Sequence, residues 1–279
     1  MFNPLPLKKY QVSTTCILII LNYLLYCSSA TEETCTKPLG NSVEDPSLIK
    51  GDCQSSGHTM ADSKPLLGYW NIRGLGQTVR FLLAYLDVDF EEKRYELTPE
   101  LTYDNWYADK EKLGLDFPNL PYLFDGPEKI TETRAILKYL SRTRKPELLG
   151  KAAEIATKID MVDNFLYDLY YIEFAGAVYG YTDELAKAFK ETAAVRLGRL
   201  STFMKENEWI TGNDITYVDF FLYECLYQFK KFDANCLDKF PNLAGLITRF
   251  ENLPEIKKYI GSPKFLQGPI TLASAAHPL

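Results

Sequence analysis

Tyr69 lies toward the end of a short apolar and aromatic run, Leu66 to Asn71, which is followed by Gly74-Leu75-Gly76 and then by Val79, Leu82, Leu83 and Leu86 at helical spacing. That order predicts a strand, a sharp turn and a helix, with the phenol tip beside the first amides of the helix. A phenol there can hold an anion, because helix-terminal N–H groups and a neutral O–H donor both favour negative charge. The alternative is structural: in a chain with 19 tyrosines, an aromatic on a strand is most often core. Gly74 and Gly76 also begin the dinucleotide fingerprint Gly-x-Gly-x-x-Gly, but Val79 occupies its third position, so the pair indicates a turn and not a nucleotide.

Leu120-Pro121 opens directly onto a strand, where proline cannot donate to the ladder. Either the bond is cis and turns the backbone edge of Leu120 outward, or Pro121 is an ordinary trans proline at a strand start. Other chemistries lack their residues. His58 and His277 are the only histidines and no Cys/His cluster exists, so we expect no metal. Four of the six cysteines precede residue 54 and none lies between 54 and 224, which leaves no thiol near the first helix for disulfide exchange. A net charge of -6 without a basic run disfavours nucleic acid and acidic membrane surfaces as partners.

The elements that must position these residues follow from periodicity. With 279 residues, 46% of them hydrophobic, the chain can bury two modest domains. Residues 1–64 stand apart as an extension. Lys8 and Lys9 precede an apolar run, Cys16 to Cys27, and small residues at 28–30, the order of a signal peptide; a polar stretch without periodicity follows. The run is too short to span a bilayer, and no stable membrane insertion is expected. A start at Met60 is the reading we favour, which makes the protein cytoplasmic; a functional leader would make it secreted.

Residues 65–145 read as strand, helix, strand, helix, strand, strand, helix, the order of a thioredoxin-like layer of mixed four-stranded sheet and helices. Residues 146–152, with Pro146 and Gly150, read as a linker. Residues 153–279 read as all-helical. Ile155, Ile159, Val162, Leu166, Leu169 and Ile172 predict one long amphipathic helix, and Asp183 to Lys205 another. Thr216 and Asp219 have capping-box spacing, with Ile215 and Phe220 as the staple. The tail from Ser262 shows no pattern. The expected fold class is therefore α/β followed by all-α.

Four collinear strings carry a resemblance: Gly68-Tyr-Trp-Asn-Ile-Arg-Gly-Leu75, Leu113-Gly-Leu-Asp-Phe-Pro-Asn-Leu-Pro-Tyr122, Gly212-Asn-Asp-Ile-Thr-Tyr-Val-Asp-Phe220 and Cys236-Leu-Asp-Lys-Phe-Pro-Asn-Leu243. From about Pro65 to Pro269 the chain resembles the cytosolic glutathione S-transferases, in detail the mu class. The resemblance implies that Tyr69 donates its hydroxyl proton to the sulfur of glutathione, the co-substrate, and keeps it as a thiolate. It implies that Leu75 belongs to the glutathione site, that Trp70, Trp106 and Lys110 hold the glycine end, and that Asn119, Leu120 and a cis Pro121 hold the cysteinyl part. Glu132 and Thr133 would take the γ-glutamyl end; mu enzymes have Gln-Ser there and other classes Glu-Ser. Asp168 would reach across a two-fold dimer to the ammonium group.

Some positions depart from the pattern. The segment between Tyr95 and Trp106 is shorter than in vertebrate mu enzymes, and Tyr103 replaces an arginine. Val178 falls where the family has a tyrosine near the electrophile. Tyr167, Tyr170, Tyr171, Phe174, Tyr179 and Tyr181 offer an aromatic wall, although a helical aromatic stripe is more often core. The expectation is a homodimeric transferase that joins glutathione to small hydrophobic electrophiles in detoxification. Its rival is a non-catalytic carrier or structural protein of the same fold.

Overall fold

The structure is a computed structural model that describes residues 64–279. The leader, the internal start and the rest of the N-terminal extension therefore lie outside the described residues.

The sheet comprises β1 (Leu66–Trp70), β2 (Glu91–Tyr95), β3 (Tyr122–Asp125) and β4 (Glu128–Thr131), in the order β2-β1-β3-β4. β2 runs parallel to β1, while β3 and β4 are antiparallel to their neighbours. The thioredoxin-like expectation is met element by element. Between β1 and β2 lies α1 (Gly76–Tyr85), between β2 and β3 lies α2 (Asp104–Lys110), and α3 (Thr133–Arg144) follows β4. β1 reads as a continuous apolar run because it is central and buried on both faces, with Leu67 at 0% exposure.

α1 is buried over eight consecutive residues, Gly76 to Leu83. It packs against α3 and also against helices of the second part, so its far side is interface and not solvent. Phe81 makes the join: its ring meets Tyr223, Phe250 and Tyr259 edge-on, with centroids 5.2 to 5.6 Å away. The linker is more ordered than its Pro and Gly suggest, since Pro146–Leu149 forms a 3-10 turn that buries Leu148 completely.

The helical part contains α4 (Ala153–Tyr167), a π-helical stretch (Asp168–Phe174), α5 (Ala175–Tyr179), α6 (Asp183–Met204), α7 (Tyr217–Phe232), α8 (Pro241–Glu251) and α9 (Pro254–Ile260). The expectation of a single α-period from Ile155 to Ile172 is corrected here. Bonding from i to i+5 adds residues per turn and rotates the inward face. Ile172 is consequently 58% exposed, while Tyr170 and Phe174 turn inward. The capping box on Thr216 and Asp219 is present. Among the described residues no helix is long and apolar enough to cross a membrane.

Candidate active site

Tyr69 is buried, and its ring lies against the turn that follows β1. At Gly76 a Cβ would come within 2.2 Å of that ring. At Gly74, where φ is +40°, a Cβ would stand 2.7 Å from the Tyr69 hydroxyl. The two glycines that the sequence marks as a turn are thus also the space in which the phenol sits. Leu75 N–H, at the start of α1, donates to Tyr69 Oη at 3.1 Å. That bond occupies a lone pair of the phenol oxygen and polarises its O–H toward stronger donation.

Strand register puts β3 and β4, with the segments that flank them, in the sheet of this phenol. Gly68 pairs with Tyr122, and Tyr122 pairs with Thr131. Carried one residue further, the same register aligns Tyr69 with Pro121 and Pro121 with Glu132 at one end of three strands. The Leu120-Pro121 bond is cis. Across this end Asn119 Nδ2 donates to Glu132 Oε1 at 2.8 Å, and Asn119 Oδ1 accepts from Leu120 N–H at 2.9 Å. The Leu120 amide therefore has a side-chain partner in the neighbouring residue.

Glu132 has φ +70° and ψ 117°, a backbone conformation unfavourable for a residue with a Cβ. Thr133 opens α3 with its side chain 4% exposed, and its Oγ1 is buried without a hydrogen-bond partner. The first amides of α3 face no acidic residue in its first turn, and none of them receives a side-chain cap. Strain, an unpaired hydroxyl and uncapped amides coincide at one point, which is a ready site for a carboxylate.

On the other flank, Trp70 meets Tyr103 edge-on at 5.5 Å, Tyr103 meets Tyr107 at 6.3 Å, and Lys110 Nζ lies 5.5 Å from the Tyr107 ring. This row links Trp70 to the ammonium of Lys110. Trp106 belongs to a separate small core with Tyr95, Leu115 and Tyr122 and is 7% exposed. Asp168 stands apart: it is exposed, and no ion pair among the described residues joins it to the other candidates.

The aromatic wall divides. Tyr170 and Phe174 are buried at 8% and 1%, whereas Tyr167, Tyr171 and Tyr179 are 37 to 44% exposed. Burial raises the Tyr170 hydroxyl well above its ordinary 10, with Tyr69, Tyr179 and Tyr171 among the groups around it. Val178 is fully buried, so its side chain presents no polar group to an electrophile.

The sequence reading missed the C-terminal tail. Arg73 N–H donates to Pro269 O at 2.8 Å and Gly74 N–H to Ile270 O at 2.9 Å, while Tyr103 and Ser274 share a hydroxyl bond of 3.0 Å. These are backbone or single-hydroxyl contacts without periodicity, so no pattern signals them. Arg73 was also unread. It is fully buried and pairs with Glu224 through Nε at 3.1 Å and Nη2 at 2.7 Å. Its signal was available, since arginine directly after an apolar strand has to find a partner when buried.

A thioredoxin-like sheet with a phenol, an Asn-Leu-Pro segment and an uncapped helix start at one end, followed by an all-helical part, is the architecture of a two-part thiol transferase. The chain belongs to the glutathione S-transferase family: the family's N-terminal domain matches residues 65–142 and its C-terminal domain residues 170–263. The chain is 40% identical over 215 residues to glutathione S-transferase Mu 1 of Bos taurus, covering 75% of this chain and 96% of that one. It is 42% identical over 207 residues to glutathione S-transferase Mu 2 of Mus musculus, covering 73% and 94%. Among solved structures, the glutathione S-transferase Blo t 8 matches with a TM-score of 0.69 and 33% identity, over 75% of this chain and 98% of the other. The Mu-class names agree with the class that the four strings imply.

Proposed function

We propose that this protein is a transferase that uses glutathione as co-substrate and adds its sulfur to hydrophobic electrophiles, with Tyr69 as the catalytic residue. The observation that carries the reading is the Leu75 N–H to Tyr69 Oη bond, which holds the phenol oxygen at the start of α1 and strengthens its O–H as a donor. A thiol with a pKa of about 8.5 is less than a tenth ionised near neutrality, and a drop of about two units, or about 2.7 kcal/mol, makes thiolate the major form. One hydrogen bond to a charged acceptor contributes about 1.5 to 3 kcal/mol. A single phenol therefore supplies most of the shift, and a tyrosine remains a donor at working pH where a carboxylate does not.

The remaining assignments are those that the family resemblance implies, with the geometry as support. Asn119, Leu120 and Pro121 support the cysteinyl segment of glutathione, and Thr133 with the α3 amides supports its γ-glutamyl carboxylate. Glu132 supports the ammonium group. Trp70 and Lys110 support the glycine carboxylate, with Trp106 holding that flank from its small core, and Leu75 acts through its N–H. The protein is a homodimer in this reading, which Phe117 at 77%, Met161 at 60% and Ile172 at 58% exposure support as apolar surface awaiting cover. Asp168, exposed and without an ion pair, is then available to the glutathione bound by the partner. The role is detoxification in the cytoplasm in this reading; cell fractionation checks the compartment.

The test is conjugation of glutathione to a chlorodinitrobenzene-type electrophile. Wild type is expected to be active, and Tyr69→Phe is expected to lose most of kcat with little change in glutathione KM. Equal rates would remove Tyr69 from the mechanism, and inactivity of both would favour a carrier.

A further inference from the structure

Behind Tyr69 lies a buried polar chain that the transferase reading does not use. Tyr170 Oη donates to Gln228 Oε1 at 3.0 Å. Gln228 Nε2 donates to Gly74 O at 3.2 Å and to Glu224 Oε1 at 3.0 Å. Gly74 C=O and Leu75 N–H are the two ends of one planar peptide unit, and Leu75 N–H donates to Tyr69 Oη. The orientation of the Gln228 amide is dictated: two acceptors face its nitrogen and a hydroxyl faces its oxygen. Glu224 is itself held by the paired bonds from Arg73.

We propose that Tyr170 and Gln228 are positioning residues for Tyr69, forming a one-way hydrogen-bond chain through the Gly74–Leu75 peptide that strengthens the phenol as a donor to sulfur. Every donor in this chain points the same way: Tyr170 O–H to the Gln228 carbonyl, Gln228 N–H to the Gly74 carbonyl, Leu75 N–H to the Tyr69 oxygen, and Tyr69 O–H to the substrate. In such a series each bond polarises the next, and an amide that accepts at oxygen donates better at nitrogen. Two amides in the series, one in a side chain and one in the backbone, work this way. The chain crosses from the helical part, which carries Tyr170 and α7, into the sheet that carries Tyr69.

Among the charged groups around the chain, burial raises the Glu224 carboxyl and the Arg73 guanidinium opposes that shift. Arg73 and Glu224 beside Gln228 form a closed pair, and Arg80 lies 5.9 Å from the Tyr69 ring centroid. Tyr171, Tyr179 and Cys225 face Tyr170, whose burial keeps it protonated.

The inference rests on Tyr69 as the donor to sulfur, and the experiment separates the two ideas. The pKa of glutathione bound to the full chain is read from thiolate ultraviolet absorbance against pH, together with kcat and glutathione KM toward chlorodinitrobenzene. Tyr69→Phe is expected to raise the thiol pKa by about two units. Tyr170→Phe keeps the ring and removes the first donor; strengthening of about 10 to 30% per bond diminishes along the series, so the expected rise is below about 0.2 of a unit, with KM unchanged. Gln228→Leu, which cuts the chain one bond nearer the phenol, is expected to raise it at least as far. In a Tyr69→Phe background, Tyr170→Phe is expected to add nothing, because its effect passes through the phenol. A wild-type thiol pKa in Tyr170→Phe, or the same increment with and without Tyr69, overturns the chain. No shift in Tyr69→Phe overturns the reading of Tyr69 and the chain with it.

Discussion

In the proposed reading, Thr133 is a side chain that trades stability for binding. Its hydroxyl is buried and unpartnered, and an unmade hydrogen bond of that kind costs about 1 to 3 kcal/mol. Thr133→Val keeps the shape and removes the unpaired group. The expected result is a protein at least as stable in urea, by up to about 1 kcal/mol, with a glutathione KM raised roughly tenfold. A loss of stability without a change in KM would mean that the hydroxyl serves the fold. Tyr69 presents a different case: its phenol oxygen accepts a backbone donor, and in the proposed reading its value lies in the hydroxyl as a donor to sulfur.

The capping box of α7 is legible in the sequence, and burial adds a pH dependence that spacing does not reveal. Asp219 accepts from Ile210 N–H at 2.9 Å, Thr216 N–H at 2.8 Å and the Thr216 hydroxyl at 2.9 Å. Burial nevertheless pushes its carboxyl up from 3.8 to about 6, against the pull of those bonds. Between about pH 4 and 6 the folded state then keeps a proton that the unfolded chain has released. The contribution of Asp219 to stability accordingly falls as pH rises through that window and levels off above it. Urea unfolding of wild type and Asp219→Asn from pH 4 to 7 checks this: the wild type is expected to lose stability relative to the variant up to about pH 6. A flat difference would place Asp219 at its ordinary value.

α4 and its π-helical continuation carry the clearest departure from periodicity. Reading Ile172 as core follows from a constant α-period, and the wider turn moves that position to the surface and brings Tyr170 inward. A single turn of altered hydrogen bonding thereby places Tyr170 within reach of Gln228.

For the molecule as a whole, the exposed apolar side chains predict association. Sedimentation equilibrium is expected to give twice the chain mass, and Phe117→Asp, which puts a charge on a ring 77% exposed, is expected to shift the population toward monomer. A monomeric wild type would remove both the dimer and the role of Asp168 across it. Arg73 and Phe81 show why the two parts act together. Both come from the strand-turn-helix unit, and both are buried against the helical part, so that unit is held to it at two points.

The order of strands and helices, the turn at Gly74 and Gly76, and the box at Thr216 and Asp219 were set by local sequence, because each depends on neighbouring residues alone. The same is true of the strings that identify the family. Only the tertiary structure decided that β3 and β4, which adjoin Pro121 and Glu132, share a sheet with Tyr69, because β-register joins residues more than fifty positions apart. It also decided that Gln228 reaches Gly74 and that the unpatterned tail from Ser262 closes on Arg73 and Gly74. Those contacts use backbone carbonyls and one side-chain amide, groups whose partners are fixed by distance in the folded chain and not by any period along it.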